Sequence, residues 1–140
     1  MQLWILYALG SAFFAALVAV LGKIGISKVD STLATTVRAV VMAIFLVVVA
    51  VSLGKVPLLK TINSKALLFI VFSGVAGALS WLFYFYALRN GPTSGVVELD
   101  KLSVVFALVL AILFLGEAFT WKSGIGAGLI TVGAILMSLK

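Results

Sequence analysis

The 140 residues contain no cysteine and no histidine. That removes disulfides, thiolate nucleophiles and the commonest transition-metal ligands. Acidic residues are nearly missing as well: only Asp30, Glu98, Asp100 and Glu117 are present, and charged residues make up 10% of the chain. An ordinary globular domain carries about 25%. With 64% hydrophobic residues and a mean hydropathy of +1.35, too little polar surface remains to cover a water-soluble ball. Motifs for metal-assisted hydrolysis, acyl transfer and nucleotide binding are also lacking, with no HExxH, GxSxG or phosphate loop. The sequence therefore predicts neither an enzyme nor a site for a metal or cofactor.

What is there is long apolar runs. Cutting at charges and turn residues leaves five stretches, residues 3–21, 31–53, 66–88, 93–115 and 120–139. Each is long enough to cross a hydrocarbon core of about 30 Å as a helix of roughly 20 residues. A membrane β-barrel would alternate apolar and polar positions, and these runs are continuous. The expected fold is an all-α, multi-pass cell-membrane protein of five helices forming one domain over residues 1–140. Residues 3–21 read as a retained helix, because no basic segment precedes them and no small-residue cleavage site leads to a soluble domain.

The formal charge of +6 does not point to nucleic acid, since the ten Lys and Arg are spread along the chain, no more than three per connection, rather than gathered on one face. Anchoring at the membrane interface explains them better. Three connections are short, at 22–30, 89–92 and 116–119, which forces antiparallel neighbours. The longer one, 54–65, holds Lys55, Pro57, Lys60, Asn63 and Lys65 and suits the headgroup level. Helix-start chemistry predicts caps at Asp30 or Ser31, at Ser64 and at Thr120, with Pro92 at a tolerated first-turn position. Glu117 follows the fourth span, where a carboxylate opposes the helix dipole; capping the next helix suits it better.

Five spans put the two ends of this sequence on opposite membrane faces. The basic residues then divide almost evenly: Lys55, Lys60, Lys65 and Lys122 on one side, Lys23, Lys28, Arg89 and Lys140 on the other. The usual positive-inside bias is nearly absent, so insertion in both orientations and one weakly signalled orientation are both open. Ser73/Gly77 and Gly124/Gly128 place small residues four apart, where backbones approach closely. Packing within the chain and a dimer contact through the last helix are the alternatives.

Ionisable groups inside a span are costly and mark function or structural pairing. Arg38 lies seven residues into the second span; Glu98, Asp100 and Lys101 lie five to eight residues into the fourth. At 1.5 Å per residue all four sit about 8–12 Å from one membrane face. Lys23 approaches the same level. Glu98 and Lys101, three apart, can pair directly, while Asp100 projects elsewhere and has Arg38 as its expected partner. Lining a substrate path is one reading of the four; a neutralised cluster that pins helices is the other. Near the same face the third span carries Trp81, Phe83, Tyr84, Phe85 and Tyr86. These form either an interfacial belt or, through Trp81 and Tyr84 on one face, the wall of a cavity.

The stretches Gly77-Ala-Leu-Ser-Trp81, Tyr84 through Arg89-Asn-Gly-Pro92, Leu99-Asp-Lys-Leu-Ser103, Phe114-Leu-Gly-Glu117 and Gly126 through Gly133 resemble the EamA-like branch of the drug/metabolite transporter superfamily, in its short five-helix form. The resemblance implies one repeat of a ten-helix, inverted-repeat transporter. Two copies in opposite orientations would rebuild that arrangement, in accord with the even charge division. The expected activity is export of small polar or zwitterionic metabolites by a homodimer, with possible coupling to protons. Export of cationic drugs and a non-transporting scaffold are the alternatives. Expected substrate-binding residues are Arg38, Trp81, Tyr84, Glu98, Asp100 and Lys101; the expected partners are a small-molecule substrate, the lipid bilayer and a second copy.

Overall fold

The structure, a computed structural model, describes residues 3–139. Among the described residues there are helices and turns and no strand: α1 (Leu3–Gly25), α2 (Ser31–Ser52), α3 (Ser64–Asn90), α4 (Thr93–Asp100), α5 (Ser103–Leu115) and α6 (Trp121–Ser138). Short 3-10 turns occupy Ile26–Lys28 and Val56–Thr61. α1 with its following turn, α2, α3 and α6 are each long and apolar enough to cross a membrane. The chain is an all-helical, multi-pass membrane protein. Large side chains such as Phe45, Phe69 and Leu129 lie on its outside. In a bilayer the surrounding medium is hydrocarbon, so an apolar exterior carries no penalty and packing falls to small residues and polar contacts.

The expected span at 93–115 is divided. At Lys101 and Leu102 the backbone stays right-handed, but the bonds shorten in register: the Lys101 N–H donates to Glu98 O at 3.1 Å and the Leu102 N–H to Leu99 O at 3.0 Å. Three-back bonds replace the four-back bonds of an α-helix, so the helix tightens for one turn before it resumes. The two pieces have eight and 13 residues, each too short to span alone.

Helix ends follow local chemistry. Asp30 caps α2 by accepting from the Leu33 N–H at 3.0 Å. α2 ends at Gly54, whose φ of +62° is a conformation that glycine adopts without strain. The cap of α3 is Asn63, not the expected Ser64: Asn63 Oδ1 accepts from the Ala66 N–H at 2.8 Å, while Ser64 is already the first helical residue. Thr120 caps α6 as expected and forms a reciprocal box with Ser123. That role is filled without Glu117.

The chain divides into two compact units, Gly22–Arg89 and a second one formed by residues up to Leu21 with those from Asn90 onward. In the first, the buried residues Ile26, Ser31, Thr35, Phe85 and Leu88 belong to the end where α1 stops, α2 starts and α3 stops. The Lys23 ammonium donates to Leu88 O, one of the last carbonyls of α3. Arg89 donates to Val29 O at 3.2 Å and stands 3.6 Å from Asp30. Both cations offset the negative C-terminal end of α3 while they join it to the α1–α2 link. In the second unit α4 packs against α6, with Gly95 close to Ser138 and Ala134 buried.

Candidate functional site

In the Gly22–Arg89 unit, α2 and α3 border an open groove with a cavity volume of about 630 Å³. Ligand pockets run from about 300 to 1,000 Å³. On α2 its wall follows Thr35, Arg38, Ala39, Met42, Ala43 and Leu46, one stripe at three- and four-residue spacing. On α3 the facing stripe runs from Trp81 back through Ala78 and Gly77 to Gly74. A Cβ added at Gly74 or Gly77 would meet nothing within 4 Å, so the floor of the groove is open because those side chains are missing.

Arg38 defines the polar end. Its guanidinium carbon lies 3.6 Å from the Trp81 ring centroid and 5.4 Å from that of Phe85. Trp81 is held in turn by Tyr84, edge-on at 5.4 Å, and by Phe85 at 5.8 Å. Residues 81, 84 and 85 share one face of α3, and Phe85 is buried against Gly22, where a Cβ would come within 3.1 Å of its ring. The absence of a side chain at Gly22 lets Phe85 sit deep enough to support Trp81. Stacking covers a face of the guanidinium and leaves its N–H edges in the ring plane, where they match a carboxylate or phosphate. No residue of the unit accepts a hydrogen bond from Arg38 or pairs with it as an acid.

Thr35 and Thr36 donate their hydroxyl hydrogens to Ser31 O at 2.7 Å and Thr32 O at 2.9 Å. Toward the groove their oxygens act as acceptors. The groove thus holds one cation, hydroxyl acceptors one turn away and no acid.

The site residues expected from sequence fall into two sets. Arg38, Trp81 and Tyr84 come together in the Gly22–Arg89 unit. Glu98, Asp100 and Lys101 lie on the other unit, with Glu98 half-buried and Asp100 and Lys101 exposed at the tightened turn. The direct Glu98–Lys101 pair is not formed; one end is half-covered and the other open, so the two face different surroundings. Within its own unit the partner of Arg38 is the Trp81 ring. Phe83 and Tyr86 point outward, at 75% and 64% exposure, as belt residues do. Sequence reasoning missed Phe85, Gly22 and the Gly74/Gly77 floor as parts of the site. Phe85 was legible as the third member of an 81/84/85 face, whereas Gly22 was not, since its role depends on a contact 63 positions away.

Apolar helices that border a groove with a cation over an aromatic ring define a multi-pass membrane protein with a charged group inside a span. The EamA-like transporter family matches residues 2–139, and the chain belongs to that family. It is 38% identical over 138 residues to an uncharacterised transporter in the cobO 3′ region of Sinorhizobium sp., covering 99% of this chain and 98% of that one. Over 78 residues it is 36% identical to an uncharacterised protein of Methanocaldococcus jannaschii, 56% of this chain and 57% of the other. A probable 4-amino-4-deoxy-L-arabinose-phosphoundecaprenol flippase subunit of Pseudomonas savastanoi pv. phaseolicola is 35% identical over 81 residues, 56% of this chain and 59% of that protein. No solved structure matches the chain. Family and relatives' names indicate a transporter rather than an enzyme.

Proposed function

We propose that this chain carries small polar or zwitterionic metabolites across the membrane, with the substrate carboxylate on Arg38 and its ammonium beside the Thr35 and Thr36 oxygens. The observation that supports this most directly is the groove itself, in which Arg38 stacks on Trp81 and no acid is present. A lipophilic cation would find no counter-charge there, which argues against the cationic-drug reading. Tyr84 acts through Trp81, as its edge support. Glu98, Asp100 and Lys101 supply the ionisable groups of the second unit, and a carboxylate among them is the place for proton coupling.

The working form in this reading is a homodimer of two oppositely oriented copies, each contributing one repeat to alternating access. One relative is named a flippase subunit, a name that suits a short chain acting with a partner. Gly126 and Gly133, seven apart on one face of α6, leave open space where side chains would stand, so that face offers a close-approach surface.

Reconstitution into liposomes tests the proposal. Counterflow of a carboxylate-bearing zwitterion is expected, strongly reduced by Arg38→Gln; absence of flux for every metabolite, with and without a pH gradient, would leave the scaffold reading. The double variant Glu98→Gln/Lys101→Met separates the same two readings. A carrier loses flux while its helices remain folded, and a scaffold is unaffected.

A further inference from the structure

The α2–α3 groove is polar at one end only. From Arg38 it continues along Ala39, Met42, Ala43 and Leu46 on one wall and Ala78, Gly77 and Gly74 on the other, every one of them without a polar side-chain group. Leu46 stands eight helical rises beyond Arg38, so this apolar arm is about 12 Å long. Its floor is formed by alanine and glycine, and the glycine positions open onto empty space. A small hydrophilic metabolite would fill the Arg38 end and leave the arm to the lipid chains around it.

We propose that the groove selects amphiphilic oxyanions: a carboxylate or phosphate head on the in-plane N–H edge of Arg38, and an unbranched apolar body laid along the Gly77–Gly74 floor toward Leu46. This rests on the reading of the groove as the substrate seat; it keeps the oxyanion on Arg38 and puts an apolar body where that reading has an ammonium. Three observations converge on it. The head position has a guanidinium already immobilised on Trp81, so little rotamer entropy is lost when it binds a planar or tetrahedral oxyanion. The charge is not matched by any acid of the unit, and an unpaired guanidinium in a span is costly until an anion or water reaches it. The width of the arm is set by missing side chains rather than by a packing defect, since no neighbour stands within 4 Å of the absent Cβ atoms at Gly74 and Gly77. The same head-and-tail chemistry occurs in free medium-chain acids or phosphate esters and in lipid-borne phosphates.

Binding is measured on the protein in phosphatidylcholine nanodiscs, apart from transport. Trp4→Phe and Trp121→Phe remove the other two tryptophans, which are exposed and outside the groove, and leave Trp81 as the reporter. Octyl phosphate is expected to shift Trp81 emission saturably, Arg38→Gln to weaken that binding by about tenfold or more, and octyltrimethylammonium to give no saturable response. Gly74→Leu fills the far end of the arm at a position with space to receive it. It should abolish octyl phosphate binding and leave butyl phosphate unchanged, which a general loss of fold would not do.

Equal binding of the ammonium amphiphile, indifference to Arg38→Gln, or the same loss for butyl and octyl phosphate in Gly74→Leu would each overturn the proposal. Phosphatidic acid added to the nanodiscs identifies the source: competition with octyl phosphate shows a lipid-borne occupant, and its absence a free one, with the ligand class upheld in both cases. Failure of flux with this binding intact would sink the carrier reading and not the ligand class.

Discussion

The central guanidinium carbon of Arg38 lies over Trp81, 3.6 Å from the ring centroid. This contact joins α2 to α3 and points the charge of a membrane helix into a groove. Hydrogen bonds to a charged group contribute about 1.5–3 kcal/mol, and a cation over an aromatic face about 0.5–2 kcal/mol. Arg38→Gln should therefore reduce uptake of a carboxylate substrate into proteoliposomes by roughly 10- to 100-fold. Trp81→Phe, which retains a weaker ring, should cost about five-fold. Arg38→Lys should fall between the two, because an ammonium keeps the charge and loses the planar fork.

Asp30 has two jobs of unequal weight. It caps α2 through the Leu33 N–H and stands 3.6 Å from Arg89, in a pair whose side chains are 46% and 64% exposed. Exposed pairs are worth about 0–1 kcal/mol, a cap about 0.5–2 kcal/mol. Asp30→Asn keeps the cap and should leave thermal stability in detergent near the wild-type value. Asp30→Ala should destabilise by about 1 kcal/mol. If Asn were as damaging as Ala, the ion pair would be the larger contribution.

Gly22 of α1 lies against the aromatic cluster. An added Cβ would lie 3.1 Å from Phe85 Cζ and 3.9 Å from Leu88 Cδ1. Gly22→Ala asks the Phe85 ring to move by a few tenths of an ångström. Gly22→Leu has no such accommodation, and overpacking of this kind costs about 1–3 kcal/mol. The expected result is a lowered unfolding temperature for Leu, together with weaker substrate binding as Phe85 and then Trp81 are displaced. Gly25, three residues on, has open space around it and serves as the control, with Gly25→Ala expected to have little effect on binding.

Orientation follows from loop charge. If five spans divide the Lys and Arg nearly equally between the two faces, reporters fused after Lys140 should give signals from both sides of the membrane. Changing Lys55, Lys60 and Lys65 to Gln together should shift the population strongly toward the orientation that places Lys23, Lys28 and Arg89 inside. A signal from one side only would rule out dual insertion.

Local chemistry carries much of this molecule. Continuous apolar runs without polar alternation leave helices as the spanning solution, so the all-helical membrane architecture is readable from composition and run length, and Asp30 and Thr120 announce their helices by capping chemistry. The depth of Arg38 in its span, and the likeness of residues 77–133 to a transporter family, were also open to reading. Tertiary structure decided the partner of Arg38. Charge alone suggested an acid for Arg38; within its own unit the neighbour against it is the Trp81 ring of α3. It also divided the span at Lys101–Leu102, a shift of hydrogen-bond register that apolar periodicity does not record. The empty volume beside Gly74 and Gly77 belongs to the same category, since a cavity arises only when two helices meet across residues that have nothing to fill it.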